Sequence, residues 1–322
     1  MPPIPPFDPD VAHALATNPD IVTTLRPDEI EALRARGIVP PREEITRSGR
    51  LAHSEHVIEG PGGDLRVILL LPAARTGPVP VLLFAHGGGL VVGGPYDGLA
   101  PLAALADEAG LAIASVDYRL APEHRYPAAV EDVYAALAWV AGQASMLGVD
   151  PDRVILSGIS AGGGLAAATA LLARDRGGPG VFAQLLICPM LDDRNQTASG
   201  AQMAGRGAWD RDANETAWSA YLGPDRTEVP IYAAPARAED LSGLPPAFID
   251  VGSAETFRDE CVAYADRIWQ SGGDAELHVW PGGAHGFDAL VPEALLSRDA
   301  ARARAHWLAR VLANARRTLA GI

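Results

Sequence analysis

From Val79 onward the chain alternates short apolar runs with longer helical patterns, and this alternation limits the folds open to it more than any other feature. The runs are Val81–Ala85, Leu111–Val116, Val154–Ser157, Phe182–Ile187, Ala247–Val251 and Glu276–Trp280. Helical patterns fill 98–109, 127–141, 161–174 and 257–271, and a last one covers 297–318. Most of the runs lack apolar/polar alternation, as expected of strands covered on both faces in a parallel sheet between helical layers. Strand alternating with helix gives a doubly wound α/β architecture. Upstream, 53–59 and 65–71 read as two strands joined by a hairpin turn at Gly60–Gly63. Residues 8–37 read as short helices broken by Pro19 and Pro27, and Pro40-Pro41 ends that pattern. Between Pro189 and Pro245 no strand run occurs. This interval, with Trp209, Trp218, Tyr221 and Tyr232, reads as an inserted lid or cap.

Composition narrows the chemistry. At 322 residues and 48% apolar, the chain can bury a large core. All 26 basic residues are arginine. A P-loop lysine, a pyridoxal Schiff base and a lysine general base are therefore excluded. The net charge of −14 disfavours nucleic acid and anionic membranes as partners. No apolar run reaches the roughly 18 residues of a membrane helix. The Pro-rich, acidic stretch Met1–Asp10 does not resemble a signal peptide, so a cytoplasmic protein is expected. The two cysteines, Cys188 and Cys261, cannot build a disulfide framework or a zinc site alone and read as buried free thiols.

The segment Gly158-Ile-Ser160-Ala-Gly162 has the spacing G-x-S-x-G, between an apolar strand and an Ala-rich helix. That context suits a sharp strand-to-helix turn presenting a nucleophilic hydroxyl, with Ser160 as the nucleophile. The helix N-terminus behind it favours developing negative charge. Strand 81–85 ends in His86-Gly87-Gly88-Gly89, whose glycines allow backbone amides to turn toward an anionic oxygen. The amides of Gly88, Gly89 and Ala161 are the expected oxyanion donors. His86 precedes this loop and is expected to hold it by hydrogen bonding.

Of eight histidines, His285 follows the last strand run, in Gly-Gly-Ala-His285-Gly-Phe, and is the expected general base. His278 is expected to be structural, and His13, His124 and His306 lie outside the expected loop. His53 and His56 form at most a two-ligand metal pair, which is weak evidence. The acid belongs after strand 247–251. Glu255 falls in the loop there, with Asp259 as the alternative on the following helix. The carboxylate would orient the ring of His285 and stabilise its imidazolium.

These segments together resemble the hormone-sensitive-lipase family of α/β hydrolases, the bacterial family IV esterases. The resemblance rests on His86–Gly89, Gly158–Gly163 and Ala284–Phe287, with Asp117-Tyr-Arg-Leu-Ala-Pro-Glu123 and Tyr126-Pro-Ala128, and spans about residues 55–315. Ile159 and Glu255-Thr256-Phe257 depart from the family pattern, which often has Asp before the nucleophile and Asp-Pro-Leu at the acid. The resemblance implies an α/β-hydrolase fold with a mostly parallel central sheet and a helical cap. The cap would combine residues 1–50 with an insertion at about 190–235 of a catalytic domain at 51–322. It also implies a small-molecule ester as partner, hydrolysis of short- to medium-chain acyl esters, and no cofactor or metal. Asp117, Arg119 and Glu123 would tie loops together. A homodimer is compatible with it. Amide, lactone or acetyl-group hydrolysis uses the same triad, and a non-catalytic receptor is the reading from another class. Trp209 and Trp218 could line the pocket or form the cap's core.

Overall fold

A computed structural model describes residues 3–37 and 39–319; the 1–50 segment includes Met1, Pro2 and Ile38, which lie outside them. Eight strands form one sheet: β1 (Leu51–Gly60), β2 (Gly63–Pro72), β3 (Val79–Ala85), β4 (Ala112–Val116), β5 (Val149–Ile159), β6 (Ala183–Ile187), β7 (Ala247–Gly252) and β8 (Ala275–Trp280). Their order is β1-β2-β4-β3-β5-β6-β7-β8. β1 and β2 form the antiparallel hairpin, with Gly60 opposite Gly63, and β2 joins β4 antiparallel. From β4 to β8 every pairing is parallel. Each of the six apolar runs is a strand. β5 starts earlier than its run because Val149 pairs with Val79 before a register shift admits the polar stretch 150–153.

The burial that the unbroken apolar runs imply is present: every residue of β4, β6 and β7 is buried. Helices cover the sheet in two layers. Ala128–Gly142 packs on Ala161–Arg176, and Leu99–Ala109 packs on Leu295–Leu319. Helix Ala161–Arg176 is buried continuously from Ala161 to Ala173. Its Gly- and Ala-rich composition fits a helix enclosed on all sides, since small side chains allow close approach to neighbouring backbone.

The segments outside the sheet meet one another. The N-terminal helix Pro9–Thr17 is capped by Asp8, whose carboxylate accepts from the Asp10 amide. Val11 of that helix is buried with Ala284, Phe287 and Ala300. The interval after β6 holds helices Ala198–Met203 and Arg211–Leu222, capped by Thr197 and Asp210. The N-terminal segment is bonded to this interval: the Trp209 amide donates to Val22 O at 2.9 Å and the Asp210 amide to Thr23 O at 2.8 Å. The Thr24 hydroxyl donates to Asp210 at 2.7 Å. Among the described residues, no helix is long and apolar enough to cross a membrane.

Candidate active site

Ser160 stands at the junction of β5 and the helix Ala161–Arg176, with φ 57° and ψ −121°. A non-glycine residue in this region stores roughly 1–3 kcal/mol of backbone strain, which surrounding structure must hold. It is held from both sides. The Ser160 amide donates to Ile187 O at 2.8 Å, and its carbonyl accepts from the Gly164 and Met190 amides at 3.1 and 3.0 Å. The flanking glycines leave no room for a side chain. A Cβ on Gly158 would lie 2.1 Å from Gly162 O, and one on Gly162 would lie 2.0 Å from Ala85 O. The turn thus closes backbone on backbone and leaves the serine side chain at the C-terminal end of the sheet.

His285 Nε2 lies 3.0 Å from Ser160 Oγ. On the other side of the ring, His285 Nδ1 lies 3.0 Å from Glu255 Oε1. The other oxygen of Glu255 accepts from the Gly252 amide at 2.9 Å. Glu255 is 1% exposed, so this chain is shielded from water. The two loops that carry Glu255 and His285 are bonded directly: the Ser253 amide donates to Trp280 O at 2.8 Å and the Ala254 amide to Gly283 O at 3.0 Å. The Phe257 ring stands edge-on to the His285 ring at 5.0 Å. Asp259 is turned elsewhere. Its carboxylate accepts from the Ser199 amide at 2.7 Å and from Arg258 Nε at 2.8 Å.

The glycine loop after β3 takes left-handed backbone, with φ 108° at Gly88 and 61° at Gly89. Among the described residues, the Gly88 and Gly89 amides donate to no protein acceptor. His86 braces the loop: Nδ1 donates to Gly87 O at 2.7 Å, and Tyr118 stacks on the ring and donates to His86 O at 2.8 Å. Burial holds the imidazole neutral, with its pKa pushed down to about 4. The Trp209 ring packs against Gly89, where an added Cβ would lie 2.3 Å from it. Trp209 and Trp218 are both buried in the same core cluster, and Trp209 in addition faces the glycine loop.

The remaining histidines are accounted for individually. His53 and His56 are three apart on β1, which puts them on opposite faces. They meet Tyr96 and Trp139 respectively, so they form no pair. His278 bonds to Glu276 at 2.9 Å and stacks on Trp280. His13, His124 and His306 are exposed. The tract 117–123 ties loops as ion pairs: Asp117 to Arg66, Arg119 to Asp132, and Glu123 to Arg34.

The sequence profile of the alpha/beta hydrolase fold matches residues 82–289. The chain is 37% identical to a carboxylesterase of Mycobacterium tuberculosis, NlhH, over 90% of this chain and 92% of that protein. The chain belongs to the α/β-hydrolase family. Within it, the chain is of the hormone-sensitive-lipase-like, family IV type. Two solved structures are similar throughout. A bacterial heroin esterase is 36% identical, with a TM-score of 0.84, covering 95% of this chain and 98% of that one. A hyperthermophilic esterase from the archaeon Pyrobaculum calidifontis is 31% identical, with a TM-score of 0.83, covering 96% and 99%.

Two parts of this α/β hydrolase's site escape sequence reasoning. One is a buried ion network behind the histidine loop. Arg304, from the last helix, pairs with Asp250 at 2.8 Å and with Asp288 at 2.5 Å. Burial opposes the Arg304 charge, but the two carboxylates outweigh it and hold the guanidinium above its ordinary range. The proximity of Asp288 to His285 was a signal; nothing in the sequence marks Arg304. The other is Arg34, which donates from the N-terminal segment to Val91 O and Ala121 O at 2.6 and 2.5 Å. It ties that segment to the glycine loop.

Proposed function

We propose that this α/β hydrolase is a serine carboxylesterase for short- to medium-chain acyl esters. Ser160 is the nucleophile, His285 the general base and Glu255 the acid. His285 Nε2 takes the hydroxyl proton as Ser160 Oγ attacks the ester carbonyl. Charge gathers on the carbonyl oxygen against the amides of Gly88, Gly89 and Ala161, the last lying at a helix N-terminus. The imidazolium then protonates the departing alcohol. Water, deprotonated by His285, hydrolyses the acyl-enzyme. The observation that carries this reading is the unbroken link Glu255–His285–Ser160, at 3.0 Å on each side of the ring.

Residues 1–50 and about 190–235 act as one cap in this account. Its support is the bonding of Val22, Thr23 and Thr24 to 209–210, and the Trp209 ring on Gly89. A bulky ring this close to the oxyanion loop favours short acyl groups. A homodimer fits the open edge at β8, where Val279 is exposed, with Trp269 exposed on the preceding helix. Cytoplasmic residence suits two buried free thiols, Cys188 and Cys261.

The test is hydrolysis of p-nitrophenyl esters from acetate to palmitate by wild type and Ser160→Ala. The expected result is serine-dependent turnover that peaks at short chains. A folded wild type inactive on the whole series, or a Ser160→Ala variant as active as wild type, would refute the proposal.

A further inference from the structure

Cys188 directly follows β6, the strand beside the one that leads to Ser160, and it takes no part in the hydrolytic steps above. Its Sγ, a ring nitrogen of His285 and a carboxylate oxygen of Glu255 all lie within 4.8 Å of one another. His285 Nδ1 is the ring nitrogen on that side, 3.0 Å from Glu255 Oε1. Thiolate, imidazole and carboxylate are three donor types that zinc-class ions accept together.

We propose that Cys188 Sγ, His285 Nδ1 and Glu255 form a site for a thiophilic divalent cation, at which the ion switches hydrolysis off. The inference rests on His285 being the base. Tetrahedral zinc, with Zn–S of about 2.3 Å and Zn–N of about 2.0 Å, places its donors roughly 3.3–3.6 Å apart. Closing from the observed spacing takes about an ångström of movement. The cleft beside the cluster, lined by Ile187, Phe287, Asp250, Asp288 and Arg304, is too narrow to hold a water, so the movement comes from the three donor side chains themselves. Charge also matches: one thiolate and one carboxylate balance a divalent cation where an unpaired charge would be costly.

Binding is a ligand exchange. The Cys188 thiol proton leaves to solvent as the sulfur–metal bond forms. The Nδ1 proton of His285 is displaced, and the single proton of the neutral ring then sits on Nε2. That tautomer donates toward Ser160 and cannot accept its proton. The carboxylate is also withdrawn from the ring. Hydrolysis stops without any change to Ser160 or the oxyanion amides.

The test combines two measurements on the full chain. Cd2+ is titrated while thiolate-to-metal charge-transfer absorption is recorded. Zn2+ is titrated while p-nitrophenyl acetate hydrolysis is followed, with each variant normalised to its own metal-free rate. Wild type and Cys261→Ser are expected to bind one Cd2+ per chain with the absorption band, and to lose activity in Zn2+, restored by EDTA. In Cys188→Ser the band is expected to vanish, and the Zn2+ needed for half-inhibition to rise at least about tenfold. Absence of the band in wild type, its loss in Cys261→Ser, or unchanged Zn2+ sensitivity in Cys188→Ser would overturn the site. Absence of ester turnover before metal is added would instead refute the esterase reading, and the absorption titration would still decide the site.

Discussion

Replacing Glu255 by glutamine tests the role of the acid, and the structure fixes what the substitution does. The Gly252 amide donates to Glu255 Oε2 at 2.9 Å, so that position must remain an acceptor. The glutamine carbonyl oxygen takes it. The NH2 group then faces His285 Nδ1, now 3.0 Å from Oε1. A donor there requires Nδ1 to become an acceptor, which moves the ring's proton to Nε2. The ring can no longer accept the Ser160 proton. In the proposed triad, this isosteric loss of the carboxylate should cost about 10^4-fold in kcat, or roughly 5 kcal/mol of barrier. KM should change little, because the acid does not touch substrate. Asp259→Asn is the control, since its oxygens serve Ser199 and Arg258, and it should lose less than about tenfold. Steady-state hydrolysis of a short p-nitrophenyl ester, with circular dichroism to confirm folding, reads both. Substantial activity in Glu255→Gln beside an inactive, folded Asp259→Asn would refute the reasoning.

Other outcomes follow from the same contacts. Gly158→Ala would place a Cβ 2.1 Å from Gly162 O, a backbone atom that cannot move aside. It should lower unfolding free energy by about 3 kcal/mol or more in urea, and a neutral result would contradict the tight turn. Arg304→Met leaves the buried Asp250 and the partly exposed Asp288 without their cation. It should cost roughly 3–5 kcal/mol by chemical denaturation, and a loss below about 1 kcal/mol would show the network to be dispensable. His86 has its pKa lowered from 6.5 to about 4, so the unfolded chain binds the extra proton between those values. Stability from this group is complete above about pH 6.5 and falls by about 3 kcal/mol as pH drops to 4. Relative to His86→Phe, wild type should lose that amount over the same range, and parallel curves would refute it.

The sheet was legible because its strands are unbroken apolar runs, and such runs have few other places to go in a chain of alternating helices. The early start of β5 was not, because Asp150, Asp152 and Arg153 carry no strand signal and join only through the pairing of Val149 with Val79. In the site, Ser160 and the glycine loop announce themselves by local spacing, since a sharp turn and a close backbone approach each demand particular residues nearby. Glu255 and Asp259 could not be separated by spacing alone. What separates them is three-dimensional: Glu255 faces the His285 loop, while Asp259 has turned to Ser199 on the helix Ala198–Met203. Arg304 and Cys188 were not marked as site neighbours, because their approach to it depends on how distant elements pack.

The most direct test of the central claim is active-site labelling with a fluorophosphonate, followed by intact-mass and peptide mass spectrometry. The account predicts one adduct per chain, located on Ser160, with concurrent loss of ester hydrolysis and no adduct in Ser160→Ala. A folded protein that takes no label, or carries it on another residue while Ser160→Ala still turns over ester, would contradict it.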